Sequence, residues 1–132
     1  MSFQWKDEYN INIEEIDNQH KKLFSIGRRL HRCTMEEVDV KKEDIDRILK
    51  ELKDYVVFHF DTEERLMMEN DYLHYQSHKN EHEFFKKEVE RLENRTEAVN
   101  EEELLKEILN FVFTWILNHI LKVDKRLIEI IK

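Results

Sequence analysis

Apolar positions recur along this chain every three or four residues, in four stretches divided by polar breaks. From Asp17 to Val38 they are Leu23, Phe24, Ile26, Leu30, Cys33 and Val38. From Lys41 to Glu69 the stripe reads Ile45, Ile48, Leu49, Leu52, Tyr55, Val56, His59 and Leu66. From Asp71 to Asn94 it reads Tyr75, His78, His82, Phe85, Val89 and Leu92. The fourth begins near Asn100 and runs through Leu105, Ile108, Val112 and Trp115 to His119. This is the period of one helix face, not the alternation of a strand. Asp17 is placed to cap the first helix. Asn100 followed by Glu103 resembles a capping box, and Glu101, Glu102 and Glu103 suit the positive end of a helix dipole.

The pattern predicts an all-α fold: an antiparallel up-down four-helix bundle, with an extended N-terminal arm and a short C-terminal helix. Amphipathic helices with short connections bury their stripes most economically in this way. Composition agrees. The chain has no proline and one glycine, Gly27, so it lacks the residues that tight turns between strands require. Its 132 residues suit a single domain over 1–132.

The net charge of −8, with no basic cluster, argues against nucleic acid or an anionic membrane as partner. No uninterrupted apolar run approaches the roughly 20 residues of a membrane span. The first residues, Met1-Ser2-Phe3-Gln4-Trp5-Lys6-Asp7, carry no signal pattern. The expected compartment is the cytoplasm. Cys33 is the only cysteine, so an internal disulfide is impossible and a thiolate metal site is disfavoured.

The chemistry lies in polar residues that interrupt the stripes. His59 and Glu63 form H-x-x-x-E, His78 and His82 form H-x-x-x-H, and His119 and Asp124 form H-x-x-x-x-D; His20 precedes them all. Spacing of four puts two side chains on one helix face. Exposed histidines would fall on the polar face, whereas these fall where core is expected. A buried, unpartnered Glu63 would be costly, and ligation of a metal offsets that cost. Imidazole with carboxylate suits first-row transition metals. Five histidines and two carboxylates are too many for one ion and suit a pair. His119 and Asp124 pose a separate problem. Five residues of α-helix turn through roughly 500°, leaving the two about 140° apart. They share a face only if the helix ends or bulges, so an irregularity is expected near Ile120–Val123, followed by a short helix over Lys125–Ile131. Glu64 and Glu81 neighbour these residues in sequence, but their register puts them off the shared faces, so they are expected to be solvated. His31 lies too far along the first helix to join the cluster, and His74 merely extends the third stripe.

From Trp5 to about Ile131 the chain resembles the hemerythrin family, single-domain bacterial and archaeal members in particular. The resemblance rests on Trp5, Ile16-Asp17-x-Gln19-His20, His59-x-x-x-Glu63, His78-x-x-x-His82, and Trp115 four residues before His119-x-x-x-x-Asp124. It implies two iron ions (Fe2+/Fe3+) with a bridging oxo or hydroxo group. His78, His82 and His119 would hold one iron, His20 and His59 the other, and Glu63 and Asp124 would bridge them. In two octahedral spheres that set leaves one position open, on the iron with two histidines. Leu23, Phe60, Trp115 and Ile116 would line the pocket beside it. All four are apolar, and a dry pocket slows loss of a reduced ligand.

The resemblance therefore implies reversible dioxygen binding, as carrier, store or supplier, rather than an enzyme. A histidine-rich set supplies little negative charge, which favours binding O2 over oxygenating substrates. The alternatives are a di-iron enzyme reducing O2, peroxide or nitric oxide, and an O2 or redox sensor acting through a separate partner. Ferritin-like di-iron sites use E-x-x-H pairs, and none of the seven histidines has a glutamate three residues before it. Zinc remains a competing occupant, because affinity order alone does not select iron.

Overall fold

The structure is a computed structural model that describes residues 3–35, 42–95 and 100–131. Its elements are α1 (Glu14–Met35), α2 (Lys42–Glu69), α3 (Tyr75–Asn94) and α4 (Glu101–Trp115). The chain then continues through a π-helical stretch, Ile116–Val123, into a 3-10 stretch, Asp124–Ile131. Before α1, residues 3–13 form an arm with one short 3-10 turn, Asp7–Tyr9.

α1 packs against α2 and α4, and α2 packs against α3. The pairings run antiparallel: an early residue of one helix meets a late residue of the next. Gln19 meets Thr62 while Arg29 meets Glu51. Glu64 meets His82 while Lys53 meets Glu93. The sequence stripes become the core: Leu23, Phe24, Ile26 and Leu30 of α1 are buried with Ile45, Leu49, Leu52 and Val56 of α2. Phe85, Val89 and Leu92 of α3 join Leu105, Ile108 and Val112 of α4 in the same cluster. Each such side chain contributes about 1.5–3 kcal/mol by leaving water. A second, smaller apolar cluster holds Ile11, Ile16, Met67, Tyr72 and Leu127. Ligand-type residues lie between these two apolar layers along the helices: His20 between Ile16 and Leu23, Glu63 between Phe60 and Met67.

Helix ends differ from the sequence expectation in instructive ways. α1 starts at Glu14, so Asp17 is inside the first turn rather than at the cap. Its carboxylate instead accepts from the backbone N–H groups of Ile11 (2.8 Å) and Asn12 (3.1 Å), which clamps the arm to the helix. α2 ends at Glu69 because Asp71 takes a left-handed conformation, φ 49°. Tyr72 N–H then bonds Met67 O and Asp71 N–H bonds Met68 O, the Schellman closure. That reversal delays α3 to Tyr75, four residues after the expected start. At α4 the expected cap is present: the Asn100 side chain accepts from Glu102 and Glu103 N–H. Val38 lies outside the described residues.

The one glycine has a steric reason. A Cβ on Gly27 would come within 2.4 Å of the Phe3 ring, so the arm can lie on α1 only where the side chain is hydrogen. Trp5 packs edge-on against Phe24 and Tyr9 beside it.

The span Glu101–Ile130 is long and apolar enough, by length and mean hydropathy, to cross a membrane. Half of its most apolar window is buried inside the bundle, as expected of a core helix.

Candidate metal centre

Seven polar side chains meet in the layer between the two apolar clusters. His20, His59, Glu63, His82 and Asp124 have essentially no solvent exposure, and His78 and His119 hardly more. They fall into two overlapping groups. One contains Glu63, His78, His82, His119 and Asp124; the other contains His20, His59, Glu63 and Asp124. Within each group one nitrogen or oxygen per residue lies within 4.8 Å of all the others. Glu63 and Asp124 belong to both.

Local structure explains how each side chain arrives. His59 and Glu63 are one turn apart on α2, and their Nε2 and Oε1 are 3.1 Å apart. His78 and His82 are one turn apart on α3, with ring centroids 4.7 Å apart. His119 and Asp124 come together because the helix widens. In a π-helix the hydrogen bond spans five residues, and here Asp124 N–H donates to His119 O. The same widening lets His119 Nε2 and Asp124 Oδ1 meet at 2.9 Å. The irregularity expected at Ile120–Val123 therefore exists, but it begins earlier, at Ile116. The stretch that follows is a 3-10 helix that includes Asp124 itself. Residues three apart eclipse in a 3-10 helix, so Asp124 and Leu127 are buried on one face.

The donor atoms converge with a single hydrogen bond among them. Asp124 lies 2.8 Å from His20 Nε2, 2.8 Å from His78 Nε2 and 3.5 Å from His59 Nε2. Of these contacts only the one to His20 has hydrogen-bond geometry. The Nε2 atoms of His59, His78, His82 and His119, and both oxygens of Glu63, are buried and have no hydrogen-bond partner. Orphaned buried groups on this scale are costly. An inward-facing shell of lone pairs with nothing among its own members to accept them fits metal ions.

Charge balance points the same way. Burial pulls the His59 pKa down, but Glu63 and Asp124 outweigh it and raise it from 6.5 to about 9. His78 rises to about 9 against the same burial, through Asp124 and Glu63. His119 is also raised well above 6.5 by Asp124, Glu63 and Glu81 despite its burial. Burial and Asp124 push Glu63 up, yet His59 and His119 hold it well below 4.5. Asp124 is likewise held low, against burial, by His119, His20 and His59. The carboxylates are thus ionised and demand cations, which protons or metal ions supply.

The surroundings are apolar and aromatic. Phe60 lies flat on His82, with centroids 3.8 Å apart and planes at 7°. Trp115 stacks on His119 at 4.2 Å and 14°. Phe60 and Trp115 are themselves 5.4 Å apart. Leu23 and Ile116 are buried in the same cluster.

Outside this layer the structure separates the remaining histidines. His74 is exposed at the N-terminal end of α3, and His31 is half-buried far along α1. Glu64 corrects the expectation of a solvated charge, whereas Glu81 stays largely solvated at 45% exposure. The Glu64 carboxylate accepts from His82 Nδ1 at 2.9 Å, and its side chain is only 15% exposed. Glu81 sits 3.5 Å from His119 Nδ1. Gln19 Oε1 accepts from His59 Nδ1 at 2.7 Å, while Gln19 Nε2 donates to Thr62 Oγ1 at 3.1 Å. Sequence reasoning did not reach the roles of Gln19, Thr62 and Glu64 because each acts across a helix interface rather than along a helix. The one available signal was the adjacency of Gln19 to His20 and of Glu64 to Glu63.

Comparison with known proteins places this chain in a family. The sequence model described as "Hemerythrin HHE cation binding domain" matches residues 12–131. The chain is 39% identical over 128 residues to a bacteriohemerythrin of Clostridium acetobutylicum, covering 96% of this chain and 99% of that one. It is 34% identical over 118 residues to a bacteriohemerythrin of Methylococcus capsulatus, covering 89% and 87%. A wild-type hemerythrin crystal structure superposes with a TM-score of 0.77 at 32% identity, covering 94% of this chain and 93% of that one. A hemerythrin point variant superposes at 0.80 with 31% identity, covering 96% and 95%. Sequence pattern, helix order and the inward-facing cluster agree, and the chain belongs to the hemerythrin family.

Proposed function

We propose that this protein holds two iron ions and binds dioxygen reversibly, as a carrier, store or local supplier. One observation carries the reading: two groups of buried donors share Glu63 and Asp124, three histidines standing on one side and two on the other. In this reading His78, His82 and His119 would hold one ion, His20 and His59 would hold the other, and Glu63 and Asp124 would serve both. The half with two histidines has fewer protein donors, which leaves room there for a small ligand. Two ferrous ions held there would supply the reversible two-electron chemistry that dioxygen binding needs.

The protein's own part is to position and to exclude. Gln19 accepts the Nδ1 proton of His59, which fixes the tautomer and turns the Nε2 lone pair inward. Glu64 does the same for His82. Leu23, Phe60, Trp115 and Ile116 are at most 8% exposed, so they set an apolar wall with little access for water beside the donors. A dry, apolar wall offers no proton to a reduced ligand, and that favours release over turnover. The similarity to bacteriohemerythrins fits this function. The acidic charge of −8 fits a protein with neither nucleic acid nor an anionic membrane as partner. Dioxygen is its small-molecule ligand, and any re-reduction calls for a separate redox partner.

The test is to load the metal-free chain with ferrous iron without oxygen, admit air, record the visible spectrum and then remove the oxygen. Two irons per chain and a charge-transfer band that develops in air and vanishes on deoxygenation are the expected results. Immediate conversion to a stable ferric spectrum would overturn the reading in favour of an enzyme that consumes O2 or peroxide. Zinc in place of iron, after growth in iron-replete medium, would overturn the choice of metal.

A further inference from the structure

The residues behind the histidines differ in charge between the two halves of the site. On the three-histidine side, His82 Nδ1 donates to the Glu64 carboxylate at 2.9 Å, in a setting only 15% exposed. Glu81 stands 3.5 Å from His119 Nδ1 on the same side, 45% exposed and without hydrogen-bond geometry. On the two-histidine side the acceptor is neutral: His59 Nδ1 donates to the amide oxygen of Gln19 at 2.7 Å. That amide cannot simply be flipped, because its NH2 donates to Thr62 Oγ1 and the Thr62 hydroxyl in turn donates to Phe58 O. The Nδ1 atom of His20 is buried and has no partner among the described residues.

A hydrogen bond to a carboxylate is roughly twice as strong as one to a neutral oxygen. Through the imidazole ring it raises the electron density at Nε2 and so strengthens the bond that nitrogen makes to a metal. We propose that Glu64 is a positioning residue that makes the three-histidine half the tighter metal position, while Gln19 leaves the two-histidine half the weaker and more readily exchanged one. Glu81 makes no hydrogen bond to His119 and adds only the field of an exposed carboxylate 3.5 Å away. The inference rests on the two-metal reading above. The number of histidines alone already favours one half, so the test must change the outer residues and leave that number fixed.

The full chain, stripped with a chelator, is titrated with Co2+ and followed by its visible spectrum and by calorimetry. Wild type is expected to fill in two resolved steps. Glu64→Gln is expected to weaken the first step by roughly 10–100-fold and leave the second in place. Glu64→Asp, which keeps the charge, should recover part of that loss, and Glu81→Gln should show a smaller one. Gln19→Glu puts a carboxylate behind His59 and should tighten the second step alone, by roughly tenfold. Far-UV circular dichroism of each metal-free variant separates these effects from misfolding, and Gln19→Glu provides a gain that misfolding cannot mimic. Two Co2+ ions bound with steps that neither Glu64→Gln nor Gln19→Glu moves, or that Glu64→Gln weakens equally, would overturn this inference and spare the two-metal reading. Wild type that binds no pair of ions would overturn both.

Discussion

Asp124 and His119 are joined twice: the backbone N–H of Asp124 donates to the carbonyl of His119, and their side chains meet at 2.9 Å. The first contact causes the second. A regular α-helix would carry residues five apart to different faces, and the π-helical stretch Ile116–Val123 absorbs the surplus residue. π-helical turns cluster at functional sites, and this one delivers a carboxylate shared by both donor groups.

Asp124→Ala should therefore be severe. It leaves His20, His78 and His119 without the carboxylate that lies 2.8–2.9 Å from each. Removing one partner of a buried charged network costs about 3–5 kcal/mol. Urea unfolding of the metal-free variant should show a loss of that order, and bound metal should fall below two ions per chain. An unchanged midpoint with full metal content would remove Asp124 from the site.

The metal-free protein should lose stability on both sides of a narrow optimum. His59 and His78 have pKa values raised from 6.5 to about 9 in the fold. A raised pKa stabilises the fold below the unfolded value, and that contribution disappears as pH climbs from 6.5 through about 9. Glu63 has its pKa lowered below 4.5, so its contribution is present above that value and fades on acidification. The Tm of chelator-treated protein should accordingly fall between pH 6.5 and 9, while loaded protein should change little. A flat Tm over that window in the metal-free form would mean that the imidazoles are neutral when no ion is bound.

Gly27→Ala sets two effects against each other. Alanine favours a helix interior by about 1 kcal/mol over glycine, but the new Cβ would sit 2.4 Å from the Phe3 ring. Displacing a packed ring costs about 1–3 kcal/mol. Gly27→Ala alone should lower stability, and the same change in a Phe3→Ala background should raise it. Thermal melts of the four proteins form the cycle. Equal effects in both backgrounds would show that the arm does not lie on α1 through this contact.

How much of this was legible in the sequence depended on whether partners lie along one helix or across two. His59 with Glu63 and His78 with His82 were readable because one turn of helix relates them. His119 with Asp124 was readable because their spacing conflicts with an α-helix, although the widening starts at Ile116 rather than Ile120. A π hydrogen bond reaches back five residues, so the ladder must change before the residue it repositions. Glu64 was misread because register was judged against its own helix, while its partner His82 is on α3. Asp17 was misread as a cap because its acceptor role points backward, to Ile11 and Asn12, ahead of the helix start. The late start of α3 follows from the left-handed Asp71, a conformation that aspartate tolerates without announcing it.

Phe60 tests the proposed pocket directly. Its ring covers His82 at 3.8 Å and touches Phe85, Trp115 and His119. Phe60→Leu keeps an apolar side chain but removes the flat surface, at a stability cost of about 1–3 kcal/mol for the imperfect fit. The bundle should still fold and take up its metal, because no donor atom changes. Water should gain entry beside the histidines, and the absorption that air induces in the ferrous protein should decay several-fold faster than in wild type. Stopped-flow mixing followed by slow scanning measures both formation and decay. A variant with unchanged decay would show that Phe60 serves the core alone, and the wall that excludes water would then have to be sought around the other buried apolar residues, Leu23 and Ile116.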